Sequence, residues 1–301
     1  MNRSRGHLPV LRHQVLQLLR PSMRQVLVDC TIGAGGHAEL LLQAASPQAR
    51  LIGIDVAEAN LLLATQRLSR YRRRVRLFQA NFSELPDVLA EADVRAADAI
   101  LADLGVASTQ LDDPQRGLSF AADGPLDMRL DTRGRRTAAD LVNGLREKEL
   151  ADLIYAFGEE RYSRRIARAI VAARKPRRIE RTQELARIVA GALPTAARRT
   201  RRGVHPATRT FQALRIAVND ELGSLDRLLS AMPAALAVGG SAAIISFHSL
   251  EDRKVKQAFA GWAATGSASL LTRRPIGPTA EEIADNPRSR SAKLRGIEKI
   301  A

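Results

Sequence analysis

A glycine-rich turn and a carboxylate that follows it are the features of this sequence with the clearest chemistry. Residues 26–37 read as a short apolar strand that runs into the turn, and a second apolar run, at 51–55, ends in Asp55. Glycines after a strand let the backbone approach a ligand closely. A carboxylate about twenty residues further on can accept hydrogen bonds from two ribose hydroxyls. Together they predict a site for a nucleoside cofactor.

The glycine spacing alone does not decide which nucleoside. Gly33, Gly35 and Ala38 also fit the dinucleotide fingerprint, which leaves NAD open. The polar side chains in the turn favour S-adenosylmethionine over NAD. The pyrophosphate of NAD would bind best to bare backbone amide groups at a helix start. Asp29 can instead pair with the cationic amino-acid end of that cofactor.

Composition indicates a globular protein: 301 residues, 45% of them hydrophobic, suffice for a sizeable core. The single cysteine, Cys30, provides no disulfide framework, and the five dispersed histidines predict no metal site. No apolar run long enough for a membrane span occurs, and no secretory signal is evident. We therefore expect a cytoplasmic protein.

The charge balance predicts a polyanionic partner. The formal net charge is +15, from 47 Lys and Arg against 32 Asp and Glu. Residues 161–209 alone hold 15 basic and two acidic residues. An arginine-rich solvated surface is the alternative explanation, but a general composition bias would raise the charge everywhere and not in one block.

Alternating strands and helices predict an α/β fold. Apolar strands at 26–30, 51–55, 75–78 and 98–104 are separated by helical patterns at 37–45, 57–70 and 83–92. This order is typical of a parallel, doubly wound Rossmann-like sheet, which binds ligands at the carboxyl ends of its strands. Gly33, Asp55, Asn81 and Asp103 all fall at such ends.

About a hundred residues separate the fourth strand from the next recognisable one, at 242–248, where an α/β unit needs only a short loop. We predict a helical insertion there, with helices at 137–156, 159–174 and 182–193, followed by one long helix at 210–236. The predicted division is a core in two parts, 1–112 and 209–301, around an inserted substrate-recognition domain, 113–208. The C-terminal stretch is expected to add a final strand.

Three features near the strand ends could act on a substrate. Asp103 could hydrogen-bond an exocyclic amine and take its proton, or merely cap the following turn. The polar loop at 110–131 is either a lid over the site or a linker into the insertion. His248, at the end of the 242–248 strand, could contact a base or a phosphate.

Seven blocks in the same order resemble the RsmH (MraW) family of S-adenosylmethionine-dependent methyltransferases. They lie at 7–11, 29–37, 103–112, 116–120, 123–129, 246–253 and 286–295. The resemblance covers nearly the whole chain. Leu118, Leu130 and Ala107 depart from the family pattern; the first two are volume-tolerant exchanges, and the third removes a hydroxyl near the site and leaves the role of that position open.

What the resemblance implies is methylation of the N4 amine of a cytidine in 16S ribosomal RNA, with the small ribosomal subunit as partner. It implies S-adenosylmethionine as cofactor, with contacts at Gly35, Gly36, His37, Asp55, Phe82, Asp103 and Gln110. This sequence keeps the acid, Asp103, but lacks the aromatic that follows the acid in many amino-methylating enzymes, so Phe120 is our candidate to stack on the target base. The linker arginines Arg198, Arg199, Arg201 and Arg202 are candidates for phosphate contacts.

Two alternatives from other functional classes remain at this stage. An NAD-dependent oxidoreductase satisfies the glycine spacing but gives no reason for the basic insertion. A ribosome-associated RNA-binding module with a vestigial cofactor fold satisfies the charge.

Overall fold

The structure, a computed structural model, describes residues 9–134, 136–194 and 205–301. The chain forms two compact units. The first combines Met1–Gly105 with Leu222–Ala301, and the second is Val106–Glu221. The second unit thus begins before residue 113 and extends beyond residue 208, the limits drawn from the sequence.

The first unit is built on a seven-stranded sheet in the order β3-β2-β1-β4-β5-β7-β6. Its strands are β1 (Val26–Asp29), β2 (Arg50–Asp55), β3 (Val75–Gln79), β4 (Ala97–Asp103), β5 (Leu236–Ser246), β6 (Ala268–Leu270) and β7 (Lys293–Lys299). The first five strands in that order are parallel, whereas β7 is antiparallel to both of its neighbours. The predicted α/β fold is confirmed, and beyond β5 the sheet is extended by the antiparallel strand β7 and by β6, which runs in the same direction as the first five strands.

Helices cover both faces of this sheet, as a doubly wound fold requires. In chain order, the helices of the two units are α1 (Arg12–Leu19), α2 (Gly36–Ala44), α3 (Glu58–Arg67), α4 (Leu85–Glu91), α5 (Ser108–Leu111), α6 (Ala138–Gly144), α7 (Glu147–Gly158), α8 (Ser163–Ala173), α9 (Thr182–Ala192), α10 (Thr208–Asn219), α11 (Glu221–Ala235), α12 (Ser249–Ala264) and α13 (Ala280–Asp285). Buried side chains of α1, α2 and α3 form one apolar cluster with the sheet, and those of α4, α11 and α12 form another.

Two helices predicted as continuous are each broken in the structure. The predicted 210–236 helix is α10 followed by α11, because Asp220 adopts a left-handed conformation with φ of 46°. Asn219, just before the break, accepts a hydrogen bond from the Leu130 amide and donates to the Met128 carbonyl. The α10 helix consequently packs in the second unit rather than in the core.

The predicted 137–156 helix is likewise divided into α6 and α7. Leu145 is extended between them, and the Arg146 amide donates a hydrogen bond to Glu149 Oε2 at 2.9 Å. A side chain that caps the second helix so closely favours a new helix start over continuation.

The loop predicted as a lid or a linker is folded into the second unit. The Met128 amide donates to the Arg116 carbonyl at 2.9 Å, and the Leu126 amide to the Glu180 carbonyl at 2.8 Å. Leu126 and Met128 are buried with side chains of α6 to α10. The loop is therefore part of the core of that unit, while its action as a lid stays a prediction.

Among the residues described, none of the helices combines the length and apolar character that crossing a membrane requires.

Gly124 is expected to be essential for the stability of the second unit. A Cβ atom at this position would lie 1.8 Å from the Pro114 carbonyl oxygen. We expect Gly124→Ala to lower the free energy of unfolding by about 2 kcal/mol or more, because the clash is with backbone. Gly191→Ala is the matched control, since a Cβ there meets nothing within 4 Å. Urea denaturation should show the control unchanged or stabilised by up to about 1 kcal/mol; equal effects would contradict the packing described.

Candidate functional site

Three carboxylates meet at the carboxyl edge of the parallel sheet in the first unit. Asp29, Asp55 and Asp103 are the last residues of β1, β2 and β4. Register places Asp29 beside Gly53 of β2 and Leu101 of β4, so the three strand ends are neighbours. Parallel strands deliver their final residues to one edge, which is why residues far apart in sequence converge.

The glycine-rich turn is fastened to Asp55. The Gly33 amide donates to Asp55 Oδ2 at 3.0 Å, and the Ala57 amide donates to Oδ1 at 2.8 Å. Asn60 Nδ2 donates a third hydrogen bond, at 3.1 Å. Burial raises the pKa of Asp55, and these donors oppose the rise by stabilising the ionised form.

Gly35 ends the turn in a conformation that favours glycine. Its φ is +80°, and a Cβ there would lie 3.3 Å from Ala64 Cα of α3. Absence of a side chain lets the turn pack against α3 and leaves its backbone open to a ligand. The helix α2 begins at the next residue, Gly36, so the turn also presents a helix start.

Asp29 is the most deeply buried of the three carboxylates. Only 1% of the residue is exposed. The Thr31 amide donates to Oδ1 at 3.1 Å, whereas Oδ2 is buried with no hydrogen-bond partner among the described residues. Burial raises the pKa of Asp29 to about 7, against the opposing effects of His37 and the Thr31 amide.

His37, in the first turn of α2, interacts with two of these acids, Asp103 and Asp29. Its Nε2 is 3.5 Å from Asp103 Oδ2, an ion-pair distance without hydrogen-bond geometry. Burial lowers the pKa of His37, but Asp103 and Asp29 outweigh that effect and the net shift is upward. The Asp103 amide donates to Thr31 Oγ1 at 2.6 Å, which ties the end of β4 to the residue after β1.

Unpartnered atoms at this edge indicate what could bind there. Asp29 Oδ2, His37 Nε2 and Asp103 Oδ1 are all buried and lack hydrogen-bond partners among the described residues. Buried polar groups without partners are costly, so such a cluster is expected to be completed by a ligand or by water. Because two of the three atoms are carboxylate oxygens, a compact cation with N–H donors fits them best.

The structure brings most of the predicted cofactor residues into the first unit. Gly35, Gly36, His37, Asp55 and Asp103 all lie at this edge, and Phe82 begins a short 3₁₀ segment just after β3. Gln110 belongs to the second unit, where it is buried in α5. Its role in binding the cofactor stays a prediction.

Asn60 is a site residue that the sequence analysis missed. It is 3% exposed although it is polar, and it supports Asp55 from the first turn of α3. The available signal was a polar residue on the otherwise apolar face of a helix that follows a strand-end carboxylate.

The residues proposed for RNA contact fall in different places. Phe120 packs in the second unit against His205 and Phe211, with ring centroids 4.6 and 4.8 Å away. His248 caps α12 in the first unit, where its Nδ1 accepts from the Glu251 amide at 3.4 Å. Their contacts with RNA stay predictions. The four linker arginines, Arg198, Arg199, Arg201 and Arg202, lie outside the described residues.

The described part of the basic block includes one cationic helix face. On α8, Ile166, Ala167 and Ile170 are buried in the second unit, while the opposite face is exposed. This face carries Arg164, Arg165 and Arg168, with Arg161 one turn before them. Spacings of three and four residues place these guanidinium groups in a row.

Comparison with known proteins gives a consistent result. The family model described as the MraW methylase family matches residues 4–300. A protein named ribosomal RNA small subunit methyltransferase H from Syntrophobacter fumaroxidans is 48% identical, covering 97% of this chain and 96% of its own. Proteins of the same name from Geobacter sp. and Sorangium cellulosum are 49% and 48% identical, over 98% and 99% of this chain and 98% and 92% of their own lengths.

The buried state of Asp29 predicts a pH effect on stability. With its pKa near 7 in the folded protein and 3.8 as the ordinary value, the folded state retains a proton that the unfolded state has lost. Stability therefore falls as pH rises through this window. Relative to Asp29→Asn, the wild type should lose about 2–3 kcal/mol of unfolding free energy between pH 5 and 7. Parallel pH profiles from urea denaturation would contradict this, and Asp87→Asn, at an exposed position, is the control.

Proposed function

The chain belongs to the MraW methylase family, and on that premise we propose that it methylates the N4 amine of a cytidine in 16S ribosomal RNA with S-adenosylmethionine as donor. The relatives' name supports a substrate in the small ribosomal subunit. The observation that carries the proposal is the convergence of Asp29, His37 and Asp103 beside a turn fastened to Asp55.

The chemistry of these residues fits the donor. Asp29 would bind its ammonium group with the unpartnered Oδ2, and Asp55 would accept hydrogen bonds from its ribose hydroxyls. Because Gly33 and Gly35 have no side chains, the cofactor could contact the backbone of the turn between them. When bound, S-adenosylmethionine supplies an electrophilic methyl group on a sulfonium centre. The NAD-dependent alternative is disfavoured, because the family consists of methylases and the turn is lined by acids rather than by bare amides.

Asp103 would act on the acceptor base. The lone pair of a cytosine N4 amine is conjugated with the ring, so the amine is a weak nucleophile. A carboxylate that accepts a hydrogen bond from N4 orients the amine, and it can take the proton released on methylation. Asp103 Oδ1 is available for this, since it has no partner among the described residues.

RNA binding is supported by the arginine row of α8. Arg164 and Arg165 are exposed and make no ion pair with the described residues, whereas Arg168 lies 3.5 Å from Glu147. Guanidinium groups bind phosphate oxygens in bidentate fashion and confer a steep salt dependence. A ribosomal RNA substrate also supports a cytoplasmic location. The absence of a metal cofactor remains a prediction.

Mapping of the modification tests this function directly. Small-subunit RNA from a strain that lacks the protein should be missing one methyl group, on N4 of a single cytidine. Purified protein and S-adenosylmethionine should restore it, as read by nucleoside mass spectrometry. A methyl group on carbon 5 or on the ribose would contradict the proposed acceptor, and no change would support a non-catalytic RNA-binding module.

Asp103→Asn should lower turnover by about 100-fold or more, because the amide cannot take the amine proton. Single-turnover methylation gives the rate, and calorimetry gives the donor affinity separately. Asp98→Asn is the matched control on the same strand: its carboxylate accepts hydrogen bonds from the Gln25 and Val26 amides at the opposite end of β4. Near-normal turnover in Asp103→Asn would remove this residue from proton transfer.

A further inference from the structure

A second concentration of arginines belongs to the first unit and is separate in sequence from the arginine-rich block of the insertion. Between Glu58 and Glu84 the sequence contains six arginines and no acidic residue. Five of the six fall between residues 70 and 76, from the 3₁₀ turn Ser69–Tyr71 through the short connection after it to the second residue of β3. This concentration is not part of the proposed methylation site.

These arginines divide into anchored and free groups. Arg74 is anchored: its Nε and Nη2 donate to the Ala49 and Ser46 carbonyls at 2.8 and 2.7 Å. Arg70 pairs with Glu39 and lies over the Tyr71 ring, with 4.7 Å to the centroid. By contrast, Arg72 and Arg73 are exposed and form no ion pair with any described residue.

Sheet register joins this turn to the start of the neighbouring strand. The Leu51 amide donates to the Arg74 carbonyl at 2.7 Å, so the beginnings of β2 and β3 are adjacent. Arg50, the first residue of β2, is also exposed. We call Arg50, Arg70, Arg72 and Arg73 the basic rim. Within the part of the chain that the structure describes, the carboxylate that pairs with the rim is Glu39, through Arg70.

The basic rim is at the opposite end of the strands from the donor site. β2 runs from Arg50 in the rim to Asp55 in the site. Five steps at about 3.3 Å each separate them by roughly 17 Å along the strand. A group bound at the rim therefore does not touch the reacting atoms.

We propose that the basic rim binds the phosphate backbone of the ribosomal RNA substrate at a point remote from the methylated base. This inference rests on the proposed RNA substrate. Unpaired guanidinium groups in a segment without acidic residues are suited to phosphates, which they bind bidentately. The stacked Tyr71 holds Arg70 in place beside the free pair. RNA that contacts both the rim and the donor site must span the roughly 17 Å between them, so a single nucleoside is too small to use both.

A charge-reversal pair tests the rim. R72E/R73E should weaken binding of a full-length 16S ribosomal RNA transcript about tenfold or more in filter binding. Losing two phosphate contacts should also make the dependence of log affinity on log salt shallower by about 1.5. R72K/R73K, which retains both charges but not the bidentate geometry, should have an affinity between those of the wild type and R72E/R73E. Calorimetry should show unchanged affinity for S-adenosylmethionine in every variant, because the donor site is remote.

R273E/R274E is the matched control. These two arginines are also adjacent, exposed and in the first unit, and they follow the edge strand β6. The control should bind RNA within about twofold of the wild type. Equal losses in the two reversed pairs would mean a general charge effect and would overturn the inference, as would a R72E/R73E variant that binds normally.

A vesicle measurement, together with the separate readouts for RNA binding and methylation, distinguishes the remaining outcomes. Sedimentation with phosphatidylglycerol vesicles that depends on Arg72 and Arg73, with RNA binding intact, would identify a lipid surface instead and overturn the inference. Because RNA binding is read without methyl transfer, a failure of the proposed N4 chemistry would leave the rim result standing. Loss of the rim effect would leave the methylation result standing.

Discussion

The site depends on holding negative charge, largely out of water, at the ends of three parallel strands. Asp29, Asp55 and Asp103 share one sheet edge, where burial makes negative charge costly and where Asp103 and Asp55 add to the cost of ionising Asp29. The fold offsets this cost unequally. Asp55 receives three hydrogen bonds, Asp29 receives one from the Thr31 amide, and Asp103 lies next to the imidazole of His37. The unequal distribution separates a carboxylate that is largely satisfied from two that retain unpartnered oxygens.

That separation suits two tasks within one cofactor site. A carboxylate fixed by backbone donors is a rigid acceptor, and Asp55 is fixed to the same turn that would lie against the nucleoside. A carboxylate with a pKa near 7, such as Asp29, gains most from a cationic partner because the partner removes the cost of its ionisation. Binding of a positively charged donor would therefore neutralise a carboxylate that is costly to ionise in the protein alone.

The sequence predicted this edge well and the second unit less well, for a physical reason. Apolar strands and strand-end carboxylates are local signals, and parallel pairing brings them together without further information. The breaks in the predicted helices 137–156 and 210–236 were not predicted by such local signals. Asn219 interrupts its helix beside Asp220 and bonds to Met128 and Leu130, about ninety residues earlier in the chain. The periodic apolar pattern of a helix does not reveal a hydrogen-bond partner so far away in the sequence.

An ion pair joins two of the sequence blocks that carry the family resemblance. The block at 246–253 follows β5 and the block at 286–295 leads into β7, and those strands pair with Ser246 opposite Lys293. Asp252 then receives Arg295 Nε at 2.7 Å and Lys293 Nζ at 3.2 Å. Burial raises the pKa of Asp252, but the two cations outweigh this effect. The pKa of this carboxyl group is therefore below its ordinary value.

This ion pair helps to hold an antiparallel strand, β7, beside the last of the parallel strands, β5. Arg295 is 8% exposed on β7, and a cation so deeply placed requires a partner. Asp252 provides it from the first turn of α12, directly after β5. The pair thus fixes both the register of β7 and the start of the helix. Removal of Asp252 would leave the buried Arg295 without this carboxylate, so Asp252 stabilises the position of β7 beside β5.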